Sequence, residues 1–263
     1  MKKMVMLLLI LVATFAAGCS KNVAKENTVN KTVYEKTNVS INSTENKVSN
    51  EDSQNYTINN SRYVDKNVKI TYPVVSNVQD NNKQQNINNI IKTEALKIIN
   101  IYGNDANLTI TPTIKLKGKH ILSIEYTGLE YTNGAAHTNS IFYTTNIDMT
   151  KGNKIILKDI LNISEDLVTK VRYGQYKGDS ETKTAAISEI KGKEDSDIIN
   201  ALNNADIIGD INSENVYSYF TGDSIGISIG VSHAIGDHAE FEVRYSDIKN
   251  ILNPNSELSK YFY

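Results

Sequence analysis

The chain has 263 residues and carries 28 Lys and Arg against 30 Asp and Glu, a formal net charge of −2. That balance argues against a broadly basic nucleic-acid surface, and 40% hydrophobic residues with only 3 Pro exclude a fully disordered, collagen-like or polytopic membrane protein. A single Cys rules out a disulfide framework or a thiolate-rich zinc site within one chain.

That Cys is Cys19. Lys2 and Lys3 precede an apolar run of 14 residues from Met4 to Ala17, which ends at Ala16-Ala17-Gly18-Cys19. The run is shorter than the roughly 20 residues a spanning helix needs, and small residues stand just before the Cys, so residues 1–18 read as a signal peptide. The segment resembles a bacterial lipobox, with Ala16 where Leu is commoner. The resemblance implies that Cys19 is diacylated and anchors the protein to membrane lipid, on the extracytoplasmic face of the cell membrane. Residues 21–60 hold ten Asn among Lys, Thr, Ser and Glu, with no Gly or Pro. They keep no sustained apolar period, so 19–63 read as a disordered tether, with a reach on the order of 35 Å if it behaves as a flexible coil.

From residue 64 the pattern becomes periodic. Val68, Ile70 and Tyr72 alternate as a strand ending at Pro73. Ser76 and Gln79 suit a capping box, and Ile87, Ile90, Ile91, Ile98 and Tyr102 share one helical face up to a stop at Gly103. Leu108 to Leu116 and Leu122 to Tyr126 then form a hairpin around Lys117-Gly118-Lys119, with Pro112 at an edge or bulge. Asn133-Gly134 turns into a third strand through Ile141, Tyr143, Thr145 and Ile147. Residues 164–208 read as two or three short helices, the first capped by Ser164. Strands return at Val216 to Phe220, Ile225 to Val231 and Phe241 to Tyr245, before a last helix capped by Ser246. Strands and helices segregate, which predicts an α+β fold: an antiparallel sheet of hairpins and meander packed against one long and several short helices.

Four patterns bear on chemistry. Gly222-Asp223-Ser224-Ile225-Gly226 matches G-x-S-x-G, but an elbow needs a helix after the serine, and Ile225, Ile227, Ile229 and Val231 alternate as a strand. The expectation is a hairpin turn and no catalytic residue. His137, His233 and His238 lie at two turns, where three imidazoles have the means to bind metal with Asp237 or Glu240 completing the set, yet no H-E-x-x-H helix orders them. Backbone hydrogen bonding at turns is the plainer fate for such histidines. Glu125 and Glu130 are five apart, on opposite faces of a regular strand. With 15 Tyr and no Trp, Tyr126, Tyr131, Tyr143, Tyr217 and Tyr219 offer a recognition patch or simply core packing.

Three blocks carry a resemblance over about 64–252. They are Asn133-Gly134-Ala135-Ala136-His137-Thr138-Asn139 with Asn146 to Gly152 and Ile155 to Leu161; the Val68-to-Asn89 strand and helix start; and Ile235-Gly236-Asp237-His238 through Tyr245-Ser246-Asp247-Ile248. Together they resemble the paired extracytoplasmic domains of unknown function of RsiV-like anti-sigma-V factors, also found N-terminal in some peptidoglycan deacetylases. The resemblance implies an RsiV-like α+β region over 64–263, as subdomains 64–125 and 126–253 or as one compact unit. It further implies a non-enzymatic binding or sensing module without a cofactor or a nucleic-acid partner. A lysozyme-like hydrolase or peptidoglycan is the implied ligand, with Asn133, Gly134, His137 and Asn139 as the contact region. The different-class alternatives are a metal-binding envelope protein using His137, His233 and His238, and a purely structural envelope lipoprotein.

Overall fold

The computed structural model describes residues 56–103, 105–209 and 215–262. Residues 1–18, read from sequence as a signal peptide, Cys19 and the part of the expected tether up to residue 55 lie outside the described residues. Strand β1 (Thr57–Asp65) turns at Lys66 into β2 (Val68–Ser76), and helix α1 (Asn81–Leu96) with α2 (Ile99–Tyr102) crosses to β3 (Asn107–Lys117). A meander follows through β4 (Ile121–Tyr131), β5 (Asn139–Asp148) and β6 (Asn153–Ile155). Next come α3 (Leu157–Ile160), α4 (Glu165–Arg172), β7 (Gln175–Tyr176), α5 (Lys183–Gly192) and α6 (Asp195–Asn203). The chain closes with β8 (Val216–Phe220), β9 (Ser224–Gly230), β10 (His238–Arg244) and α7 (Tyr245–Ile248).

The strands form two sheets, ordered β1-β2-β3-β4-β5-β6 and β7-β10-β9-β8. Every pairing is antiparallel except the short β2–β3 contact, Val68–Ile70 against Leu108–Ile110. The expected α+β class, antiparallel in the main, is therefore what the chain adopts.

Alternation along the strands builds two cores, one on the far face of each sheet. On the first sheet Val68, Ile70, Leu108, Ile110, Leu122, Ile124, Tyr126 and Tyr143 pack against Ile87, Ile91 and Ala95 of α1. On the second, Ile225, Ile227, Ile229, Phe241 and Val243 pack against Leu167, Val171, Ile190, Ile198 and Leu202 of the helices. Between the sheets, aromatic contacts of Phe142 with Tyr217, Tyr219 and His238 lie beside a set of polar ones. Thr144 Oγ1 and Asn146 Nδ2 donate to the Ser218 carbonyl at 2.6 and 2.8 Å, and the Phe220 N–H donates to Ser123 Oγ at 2.9 Å. These groups are buried, and the bonds among them satisfy what burial would otherwise penalise.

Several boundaries depart from the sequence reading. β1 starts within the segment read as tether; it is an edge strand of mostly half-exposed polar residues, so no apolar alternation marks it. β2 runs through Pro73, because beyond Ile70 it has a neighbour on one side only and a missing N–H is tolerated. α1 is capped by Asp80, whose carboxylate accepts from the Asn82 and Lys83 N–H groups, and Ser76 still belongs to β2. Ser246 lies inside α7, whose N-cap is Arg244. Ser164 does cap α4, and Gly103 does end α2, at φ +78°. Pro112 sits where β3 has lost β2 as a neighbour, before a bulge at Ile114/Leu116.

Candidate functional site

The β4–β5 connection is the most exposed part of the first sheet: residues 131–139 are all exposed, and Leu129 before them is 52% exposed. Its base is nonetheless fixed. Glu130, 1% exposed, receives the Thr132 hydroxyl on one carboxylate oxygen and the Asn139 amide on the other, both at 2.7 Å. A buried carboxylate is tolerable only when such donors neutralise its lost hydration, and here the donors are the two ends of the loop. The Asn107 amide of β3 adds bonds to the Tyr131 carbonyl at 3.0 Å and to Asn133 Oδ1 at 3.2 Å. Gly134 takes φ +89°, as the Asn-Gly turn requires, with the Ala135 N–H returning to the Thr132 carbonyl.

A second loop, between β9 and β10, meets this one. A 3-10 turn at His233–Ile235 leads to Gly236 at φ +116° and Asp237 at φ +70°. The Asp237 carboxylate accepts from His233 Nδ1 through one oxygen and from the Ser140 N–H through the other, each at 2.7 Å, so it joins the start of β5 to the second loop. Glu189 of α5 holds the other end by accepting from the Ser232 N–H and hydroxyl at 2.9 and 2.8 Å. Tyr102 lies near both loops: burial first, then Glu130 and Asp237, push its hydroxyl pKa up.

Of the residues singled out from sequence, His137 and His233 come together, with ring centres 5.6 Å apart. His238 does not join them; it has entered β10 opposite Gly230, with its ring 4.8 Å from Phe142 and its Nε2 3.7 Å from Glu240. Among the described residues no group of three or more His, Cys, Asp or Glu is assembled to hold a metal. Asn133 and Gly134 shape the tip, while the Asn139 amide is spent on Glu130. Tyr126, Tyr143, Tyr217 and Tyr219 are core residues at 0 to 3% exposure, and only Tyr131, 38% exposed, remains for recognition. Ser224 opens β9, its N–H bonded to Thr221 Oγ1 and its hydroxyl to Asp223, in a hairpin turn without an imidazole partner. Asn107 and Glu189 escape a reading by motif, because their partners are distant in sequence; the sequence sets Glu130 only against Glu125, and its bonds to Thr132 and Asn139 form no recognised spacing. Asp237 is legible, but it stands behind His233.

A surface depression of about 510 Å³ lies elsewhere, bordered by Asn162, Lys249, Asn250, Pro254 and Lys260, with no acid or imidazole lining it. No helix among the described residues is long and apolar enough to cross a membrane.

No family model and no curated protein sequence matches the chain. Among solved structures, a member of the DUF3298 family from Bacteroides fragilis NCTC 9343 is similar over 81% of this chain and 99% of that one, at 14% identity and a TM-score of 0.51. A DUF3298 family protein from Pseudomonas aeruginosa PAO1 is similar over 76% and 94% respectively, at 12% identity and a TM-score of 0.42. The structural neighbours are thus DUF3298 proteins, and the Bacteroides likeness is one of fold.

Proposed function

We propose that this is a lipid-anchored binding protein of the cell envelope, without enzymatic activity, which presents the two-loop end of its sheets to a ligand outside the membrane. The observation that carries the reading is the contrast at the β4–β5 loop: a fully exposed tip from residue 131 to 139 on a base locked by Glu130. Such an arrangement offers contact area without the ordering cost that a free loop incurs on binding. Leu129 and Tyr131 add apolar and aromatic surface at its edge. The ligand class follows from the sequence resemblance to RsiV-like domains: a lysozyme-like hydrolase, or peptidoglycan itself. Cys19 supplies the anchor and residues 20–55 the distance from the lipid.

Cell fractionation tests the anchor, with the full chain expected in the membrane fraction and Cys19→Ala released from it; a Cys19→Ala variant that still sediments with membranes overturns the lipid anchor. Retention of the released protein on immobilised lysozyme, or its co-sedimentation with purified peptidoglycan, tests the ligand. Failure of both contradicts the binding role.

A further inference from the structure

The structure assigns to the two-loop end a transition-metal site made of two imidazoles, His137 and His233, with Asp237 orienting the second. It does not depend on the wall-ligand reading, since it concerns a different chemistry of the same loops.

Three observations carry it. The first is spacing. A metal ion lies about 2.0–2.1 Å from an imidazole nitrogen and that nitrogen about 1.2 Å from its ring centre, so two rings on one tetrahedral ion have centres about 5.2 Å apart. The rings of His137 and His233 are 5.6 Å apart, a few tenths of an ångström from that value, and both residues are exposed and able to adjust.

The second observation is orientation. His233 Nδ1 is 2.7 Å from Asp237 Oδ1, which fixes the proton on Nδ1 and leaves the Nε2 lone pair as the ligating one. A carboxylate behind a histidine in this way is the usual support of a metal-bound imidazole, and it makes the imidazole a stronger donor. Asp237 is itself held, because its other oxygen accepts from the Ser140 N–H at 2.7 Å.

The third is anchorage. Ser232, adjacent to His233, is bonded twice to Glu189, and His137 rides on a loop closed at its base by Glu130. His233 is therefore held in place, which reduces the entropy lost on metal binding, while His137 sits on a loop fixed at its ends and free at its tip to close on the ion. Two nitrogen donors suit Zn²⁺, Cu²⁺ or Ni²⁺ and not Mg²⁺ or Ca²⁺, and two protein ligands leave positions open for water or for a donor atom of a bound partner. A bound ion ties the β4–β5 loop to the β9–β10 loop.

The test is calorimetric titration of Zn²⁺, with Mg²⁺ as control, into the untagged metal-free chain lacking residues 1–18 and carrying Cys19→Ser. The site requires one Zn²⁺ per chain and no Mg²⁺ binding. His137→Gln and His233→Gln each weaken Zn²⁺ binding at least tenfold. Asp237→Asn, which keeps a residue that tolerates the positive φ, weakens it about 10- to 100-fold. His238→Gln and His120→Gln leave it unchanged. Circular dichroism confirms that each variant is folded. Absence of saturable Zn²⁺ binding, affinity undisturbed in His137→Gln or His233→Gln, or affinity lost in His238→Gln overturns the site.

Discussion

Asp206 stands where three elements converge, with the backbone at φ +67°. One carboxylate oxygen accepts from the Ser218 N–H at 2.7 Å and the other from the Leu157 N–H at 2.7 Å and the Ser218 hydroxyl at 2.8 Å. Burial alone pushes its pKa up, and these donors pull against it. Asp206→Asn preserves the shape and the left-handed backbone but sets an amide N–H₂ against donors. It is expected to lower the unfolding free energy by about 1–3 kcal/mol in a urea titration; a variant as stable as the wild type contradicts the role given to these bonds. Glu125 tests the effect of burial on a carboxyl. Burial raises its carboxyl pKa, against the opposing charge of Lys115 and with the help of Glu240. A raised folded pKa means stability complete below the ordinary carboxyl pKa and lost as pH rises through the folded value. Glu125→Gln removes that loss. Urea unfolding of both proteins at about pH 4 and about pH 7 is expected to show the difference moving in the variant's favour at the higher pH, and a pH-independent difference counts against it.

At the scale of elements, the glycine that completes the G-x-S-x-G pattern has a packing reason. A Cβ on Gly226 would lie 2.0 Å from Cζ of Tyr219, the buried ring that crosses it from the neighbouring strand. Gly226→Ala is expected to cost about 1–3 kcal/mol by overpacking, measurable by urea unfolding. Replacing Tyr219 by Leu in the same chain is expected to make the two changes less than additive; strict additivity means the clash is not the cause. This strand illustrates what is legible beforehand. Ile225, Ile227 and Ile229 announce a strand with one apolar face, and so identify Ser224 as a turn residue and not a nucleophile. The α1 face and the β3–β4 hairpin are legible for the same reason, periodicity. β1 is not, because an edge strand with both faces half wet has no apolar period. The cap of α1 is misplaced because Ser76 and Asp80 are both good caps, and the β1–β2 pairing that keeps Ser76 extended is a long-range fact. His137 and His233 are legible as turn residues. His238 is misjudged because the positive-φ pair Gly236-Asp237 returns the chain to its strand at His238, three residues before Phe241, where the sequence pattern starts the strand.

The described residues form two packed sheets with an apolar core outside each and, between them, the Phe142, Tyr217 and Tyr219 rings beside a polar layer. Ser123, Thr144, Asn146, Asp206 and Ser218 hold that layer together. Beyond this frame, at one end, the β4–β5 and β9–β10 loops are exposed at the tip and pinned at the base. The central claim is that this end is a recognition surface. The measurement that tests it most directly is calorimetric titration of a lysozyme, and separately of soluble peptidoglycan fragments, into the same Cys19→Ser chain at low and high salt, beside an Asn133→Ala/His137→Ala variant. The account predicts saturable binding to one of the two ligands that persists at high salt and is weakened at least tenfold in the variant. Heat that salt abolishes, which is charge attraction alone, or binding that the loop variant leaves intact, contradicts it.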